Sequence, residues 1–309
     1  MPDPTMGMTN EETAYAKINL ALHVRERLPD GYHRIETIFA FLDQGDVISV
    51  EPADKLMLEI SGPFSNGLSS TDNLVLQAAR RLAEVSGVAQ GARLHLDKRL
   101  PVASGIGGGS ADAAATLRLL NRFWGLDHSL AALADIAKPL GADVPACVHS
   151  RTCRGTGIGQ DLAIIADDEL QGCAALLINP LVAVSTGDIF AAWDGIDRGP
   201  LGEGTVMAVA RSGRNDLQKP AVALVPILTD MLQMLDESQP IMAQMSGSGA
   251  TCFALYDTLA AAAEAERHSW QAADNISTAI RTKPPSSSSA ATASKYRATI
   301  SPPWREWRG

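Results

Sequence analysis

"PVASGIGGGSADAAATLRLL", residues 101–120, places Gly105, Gly107, Gly108 and Gly109 between Ser104 and Ser110 and then turns alanine-rich at once. Past the glycines, Ala113, Leu117, Leu120 and Trp124 recur at helical spacing, so the loop feeds a helix. A helix start exposes unpaired N–H groups and a partial positive charge. Glycines let that backbone come close to an anion, so the stretch is suited to cradling a phosphate. Ser110 stands where a hydroxyl can cap the helix, or touch a phosphate or a metal. A tight structural turn would use the same glycines, so the loop alone does not decide between the two readings. It is not a GxxxxGK[ST] loop, and the sixth position from Gly105 is Ser110, which rules out GxGxxG.

Around the loop, strands and helices mix without a regular alternation. "AKINLALHV" (16–24) reads as a strand, "LPDGYH" (28–33) as a turn, and "IETIFAFL" (35–42) as a strand with Ile35, Thr37, Phe39 and Phe41 on one face. "DVISVEP" (46–52) and "KLMLEIS" (55–61) read as two more strands joined by a short polar turn. "STDNLVLQAARRLAEVSG" (70–87) reads as a helix capped by Asp72, with Val75, Ala78, Leu82 and Val85 on one face and Gly87 at its end. "ARLHLDKRLP" (92–101) alternates again, and Ser129 opens a helix that Pro139 stops. Later, "CAALLIN" (173–179) reads as a buried strand. "NDLQKPAVALVPILTDMLQML" (215–235) is mostly helical, with Leu224, Ile227, Leu228 and Met231 as its apolar face. "MSGSGATCFALYD" (245–257) gives a second glycine loop and then a strand. This pattern predicts an α+β fold rather than a doubly wound sheet. The break near residues 155–172 predicts an N-terminal domain over 1–160, a smaller C-terminal domain over 161–274 and a tail over 275–309.

The 309 residues, 46% hydrophobic, are enough for two domains with sizeable cores. The net charge of −9 offers no field for nucleic acid or an anionic membrane, so an anionic ligand needs a local positive site. Cys147, Cys153, Cys173 and Cys252 match no zinc or CxxC spacing. Reduced thiols, no apolar leader in "MPDPTMGMTNEETAYAKI" and no membrane-length apolar run predict a cytoplasmic protein.

Three more pieces bear on the phosphate reading. In "AKINL" Lys17 and Asn19 share a strand face, because i and i+2 point the same way. In "GADVP" (141–145) Asp143 stands between a small and a β-branched residue, just before Pro145. "MSGSGAT" is a second anion-friendly loop. Singly, each has an ordinary reading: a strand-edge lysine, a helix cap, a plain turn. Together and in this order, with "DGYH" and "NDL" beside them, they resemble the GHMP kinases over about residues 14–270.

The resemblance implies an N-terminal ATP-binding domain, a smaller C-terminal α/β sandwich domain and an active site in the cleft between them. It implies ATP and Mg²⁺ as cofactors, with ATP held by Lys98, Pro101, Val102, Ala103, Ser104, Gly105, Ile106, Gly107, Gly108, Gly109, Ser110 and Ala111. It makes Asp143 the base that takes a hydroxyl proton, with Lys17 beside it and Asn19 orienting the acceptor. "DGYH" narrows it to the branch whose acceptor is a sugar alcohol carrying a cytidine diphosphate, in the non-mevalonate route to isoprenoid precursors. There His33 reads the base edge, Tyr32 stacks on its face, Phe190 closes the other side and Thr186 touches a ligand. A homoserine or mevalonate-type kinase is the alternative, although neither acceptor carries a base for "DGYH" to read. Monomer and homodimer both stay open.

The tail departs from the family pattern. Arg281, Lys283, Lys295, Arg297, Arg305 and Arg308 face one acid, Glu306, and "PPSSSSAATAS" has no periodic apolar face. This composition predicts a disordered or extended tail without helix or sheet.

Overall fold

Strands buried on both faces build two sheets that share an apolar interface. The computed structural model describes residues 10–102, 104–267 and 294–299. The first sheet holds β1 (Glu11–Arg27), β2 (His33–Ala53), β3 (Met57–Ser61), β4 (Gly91–Asp97), β5 (Cys153–Thr156) and β6 (Asp161–Ile164). Its order is β3-β4-β2-β5-β6, with β1 also paired to β2. The second sheet holds β7 (Ala174–Asn179), β8 (Met242–Met245), β9 (Cys252–Tyr256) and β10 (Ser294–Thr299), in the order β10-β7-β9-β8. The helices are α1 (Leu74–Ser86), α2 (Gly108–Phe123), α3 (Leu130–Ala137), α4 (Val144–His149), α5 (Thr186–Ala191), α6 (Val206–Ser212), α7 (Gln218–Leu224), α8 (Ile227–Glu237) and α9 (259–267).

On β2, Phe39 and Phe41 enter the core under α1–α4, while Ile38, Ala40 and Leu42 point the other way. There they meet Ala175 and Leu177 of β7 and Phe253 and Leu255 of β9. The far face of the second sheet, with Leu176, Ile178 and Ala254, packs on Ile189, Leu228 and Met231 from α5 and α8. The layers are therefore helix, sheet, sheet, helix. Strand pairing is antiparallel except between β3 and β4. This is the expected α+β class.

Several local expectations change. "IETIFAFL" and "DVISVEP" are one strand, β2, because β1 pairs along nearly its whole length. Gly45 inside it is no turn: a Cβ there would lie 2.3 Å from the Ala14 carbonyl oxygen, so the glycine lets β1 approach at a register shift. β3 does not pair with β2; β4 lies between them and runs parallel to β3. The cap of α1 is Asn73, whose side chain accepts from the Val75 N–H, and not Asp72. Gly87 closes that helix in the left-handed conformation as expected, but Val85 is exposed. The 215–235 helix breaks at Val225 and Pro226 into α7 and α8, which leaves Leu224 exposed while Leu228 and Met231 are buried. A boundary after residue 160 would cut the β5–β6 hairpin; the change of sheet falls between Ile164 and Ala174. The tail is not free of sheet, since Ser294–Thr299 pairs antiparallel with Asn179–Ala174 along the edge of β7. The rest of the 275–309 expectation lies outside the described residues.

Candidate active site

The glycine loop is bare because other groups press on it from inside the protein. Gly105, Gly107 and Gly108 stand at the mouth of α2, and Gly105 and Gly107 have φ of 75° and 69°, where side chains are strained. A Cβ on Gly105 would lie 2.4 Å from the Ser246 carbonyl oxygen. On Gly107 it would lie 2.7 Å from Lys17 Cγ, and on Gly108 3.2 Å from Lys98 Nζ. Gly107 is the N-cap of α2 and supplies no side-chain cap, which leaves the first N–H groups of the helix for another acceptor.

Lys17 is the hub. Its Nζ lies 3.1 Å from Asp143 Oδ2 and donates to Asn19 Oδ1 at 2.7 Å and to the Gly105 carbonyl at 3.4 Å. Its backbone N–H donates to the Ile106 carbonyl at 3.0 Å, so β1 carries the glycine loop directly. Asp143 occupies the N-cap position of α4 but makes no side-chain cap bond, so its carboxylate turns to Lys17 instead. Asn19 is less free than expected. Its oxygen accepts from Lys17, and its amide donates to Thr37 Oγ1 at 2.8 Å, which in turn donates to the Ala21 carbonyl at 2.7 Å. Asn19 therefore holds Lys17 in place.

A cleft of about 900 Å³ opens over this group. Lys17, Asn19 and Asp143 lie in its wall, with Ser104, Gly105 and the 107–110 backbone on one side. Tyr32, His33, Thr186 and Phe190 line the other end. Tyr32 is 55% exposed there, whereas His33 is buried and packs on Phe190 with ring centroids 5.0 Å apart. Burial, and then the nearby charge of Arg27, push the His33 pKa below its ordinary value, so the ring is neutral at neutral pH. Thr186 Oγ1 and Ser248 Oγ are 2.9 Å apart across the C-terminal wall.

Five of the expected nucleotide contacts do not line the cleft. Pro101, Ile106 and Ala111 are buried, and Val102 is exposed outside it. Lys98 lies beneath the loop, with its Nζ 2.5 Å from Asp46 Oδ2 and 2.6 Å from Asp112 Oδ2. Burial works against its ammonium, but Asp112 and Asp46 outweigh it and hold its pKa above the usual lysine value. Burial also pushes the Asp112 carboxyl up to about 8, against the pull of Lys98. Ala103 lies outside the described residues.

Family models match at both ends: the GHMP kinases N terminal domain over residues 73–151 and the GHMP kinases C terminal over 205–269. The 4-diphosphocytidyl-2-C-methyl-D-erythritol kinase of Rhizorhabdus wittichii is 52% identical over 271 residues, covering 86% of this chain and 91% of that one. The chain belongs to the GHMP kinase family. It is accordingly an ATP-dependent phosphotransferase. The relative of the same name from Sphingopyxis alaskensis is also 52% identical, over 82% of this chain and 92% of its own. A crystal structure of 4-(cytidine 5'-diphospho)-2C-methyl-D-erythritol kinase superposes with TM-score 0.71 at 31% identity, covering 94% of this chain and 99% of that one. Homoserine kinase from Cytophaga hutchinsonii, at 18% identity and TM-score 0.67 over 96% of each chain, shares the fold.

Sequence reasoning missed the residues that reach the site from far along the chain. Ser246 Oγ donates to the Gly105 carbonyl at 2.9 Å and accepts from the Asn19 N–H at 3.2 Å, pinning the second glycine loop to the first. Asn215 of "NDL" donates to the Gly247 carbonyl at 2.8 Å, which fixes that loop from behind. Arg27 and Asp30 line the cleft together with Tyr32 and His33. A basic residue just ahead of "PDGYH" was a signal available in the sequence.

Proposed function

We propose that the chain transfers the γ-phosphoryl group of ATP to the 2-hydroxyl of 4-diphosphocytidyl-2-C-methyl-D-erythritol, a step toward isoprenoid precursors. The single observation that carries this reading is the Lys17–Asp143 ion pair at 3.1 Å, facing an uncapped helix start across one cleft. Phosphoryl transfer asks a protein mainly for positioning and charge neutralisation. The N–H groups at the start of α2 receive the phosphates. Asp143 accepts the proton of the hydroxyl as its oxygen attacks the γ-phosphorus, and ADP leaves. Lys17 orients Asp143 and carries positive charge toward the transferred group.

Mg²⁺ neutralises charge on the nucleotide phosphates when bound. Among the described residues no group of three or more His, Cys, Asp or Glu side chains could hold a metal. That suits an ion that arrives on the phosphates and keeps most of its water, and Ser110 would offer it a side-chain hydroxyl from the loop. At the other end of the cleft, Nε2 of neutral His33 accepts from Arg27 Nε at 3.3 Å, which leaves its Nδ1–H as the donor for a cytosine edge. Exposed Tyr32 and half-buried Phe190 supply flat faces for the ring.

No described helix is long and apolar enough to cross a membrane. The acidic net charge of −9 makes nucleic acid an unsuitable partner.

The test is ADP release with ATP, Mg²⁺ and one acceptor at a time. Turnover with the cytidine-bearing acceptor and none with homoserine or mevalonate is the expected result. Preference for either control would overturn the substrate reading.

A further inference from the structure

The elements that carry the glycine loop, Lys17 and Asp143 meet a second time, away from the cleft, at one guanidinium. Arg118 lies on α2 about 15 Å past Gly108, at ~1.5 Å of rise per residue. It is only 5% exposed. Its Nη1 donates to the carbonyls of Cys147 at 2.7 Å and Val148 at 3.2 Å, both in α4, the helix that starts at Asp143. Its Nη2 donates to the Thr13 carbonyl at 3.1 Å, on β1, the strand that carries Lys17. Its Nε donates to Glu12 Oε1 at 2.7 Å, and Glu12 also pairs with Arg122.

Stability alone is a poor reason for this arrangement. A buried ion pair is often matched or bettered by apolar side chains of the same volume, and the core that α2 and α4 share is apolar, with Leu117, Leu119, Cys147 and Val148 in it. A hydrocarbon there would pack, but it would bind none of the carbonyls. Those carbonyls belong to a helix of one and a half turns, too short to hold its own direction. Ser150 Oγ also donates to the Cys147 carbonyl at 2.7 Å and accepts from Arg118 Nη1 at 3.5 Å, so it adds to the Arg118 tie and does not replace it.

We propose that Arg118 is a positioning residue for phosphoryl transfer. It fixes α4, and so Asp143, against the strand of Lys17 and the helix of the glycine loop. The inference rests on the reading of Asp143 as the base. A displacement of about 1 Å at a reacting group can cost on the order of 10²-fold in rate, so a small shift of α4 has a large kinetic effect and a small effect on binding.

The experiment compares the wild type with Arg118→Lys, Asp143→Asn and the double variant, using the full chain. Lysine keeps a charge opposite Glu12, but one ammonium cannot span Glu12, Thr13 and the two α4 carbonyls. The expected result for Arg118→Lys is a kcat about ten- to a hundred-fold lower, with KM for ATP and acceptor within about twofold and Tm within a few degrees. In the Asp143→Asn background the same change costs less than about twofold, because residues acting through one another are not additive. A folded Arg118→Lys with kcat near wild type overturns the proposal. So do losses that multiply in the double variant, or both KM values rising along with the fall in kcat. If lysine does not fold, Arg118→Gln is judged by the same results. If neither folds, Arg118 serves stability and the positioning reading is withdrawn. Wild-type turnover is measured first. Failure with the cytidine-bearing acceptor counts against the proposed function alone, and the cycle then runs on whichever acceptor is used.

Discussion

Replacing Gly107 by alanine adds one methyl group at the point where the glycine loop crosses Lys17. Two costs follow. The residue has φ of 69°, and an L side chain in that region costs about 1–2 kcal/mol. The new Cβ would also stand 2.7 Å from Lys17 Cγ and 2.8 Å from Cε, closer than carbon atoms pack. Lys17 cannot yield freely, because its Nζ is held by Asp143, Asn19 and the Gly105 carbonyl. Either the loop lifts away from the cleft or the ammonium leaves Asp143. The fold should survive with a Tm several degrees lower, at about 2–4 °C per kcal/mol for a chain of this class. Activity should fall much further. A lifted loop weakens ATP binding, and a Lys17 head moved by about 1 Å costs on the order of 10²-fold in kcat. Calorimetric titration with ATP, thermal melts and ADP release separate these effects. Gly109→Ala is the control for bulk: its Cβ would make an ordinary 3.5 Å contact with Leu74 Cδ1, within helical backbone. It should raise Tm, since alanine is favoured over glycine in a helix by about 0.5–1 kcal/mol. A folded Gly107→Ala variant with kcat within twofold of wild type would refute the reasoning.

Asp143→Asn should keep ATP affinity and lose about 10²–10⁴-fold in kcat, measured by single-turnover assay; near-normal turnover would remove Asp143 as the base. His33→Ala and Phe190→Ala should raise KM for the cytidine-bearing acceptor far more than KM for ATP, and equal rises would mean general damage to the cleft. Because burial and Arg27 hold the His33 pKa below 6.5, the neutral ring persists at neutral pH and is lost only as pH falls below that value. KM for the acceptor should therefore stay flat from pH 8 to 6.5 and rise in more acid solution. In Arg27→Gln the rise should begin at higher pH, and an unchanged profile would detach Arg27 from the ring. Truncation after Asp274 removes β10 from the edge of β7 but no described residue of the cleft. It should leave kcat intact and change Tm little, because two opposing terms nearly cancel. Each lost backbone hydrogen bond is worth about 0.5–1.5 kcal/mol net, against about 1–2 kcal/mol per residue no longer ordered. A collapse of kcat in a monomeric truncated protein would contradict this.

Much of the fold was legible because its rules are local. Alternation gave β4 and the first half of β2, short apolar runs gave β1, β7 and β9, and punctuation at Ser129, Pro139 and Gly87 gave the ends of helices. The errors came where several residues competed for one role, or where a local signal served a distant neighbour. "STDN" offers four capping residues in a row, and only the path of the chain selects Asn73. "DQGD" carries turn chemistry, but Gly45 is there for Ala14. The edge strand Ser294–Thr299 has no alternation strong enough to mark it; β7 supplies the template by leaving an edge open between Ala174 and Asn179.

The site divides in the same way. Its chemical groups could be read from short motifs, because each motif must expose a particular atom: bare N–H groups in 105–109, an ammonium at Lys17, a carboxylate at Asp143. What holds those atoms in register could not be read, because the partners are contributed by separate segments. Asp46 and Asp112 meet Lys98 beneath the loop, Ser246 joins Gly105 to Asn19, and Arg118 joins Glu12 and Thr13 to α4. Lys98 shows the consequence. Its place just before the glycines suggests a hand on the nucleotide, yet two buried aspartates already hold its ammonium. Moving it into the cleft would leave the buried Asp46 without its cation, a cost of about 3–5 kcal/mol for breaking a buried pair. The lysine that faces the chemistry is Lys17. Its ammonium is shared between a half-exposed carboxylate and neutral oxygens, and so can follow charge that develops in the cleft.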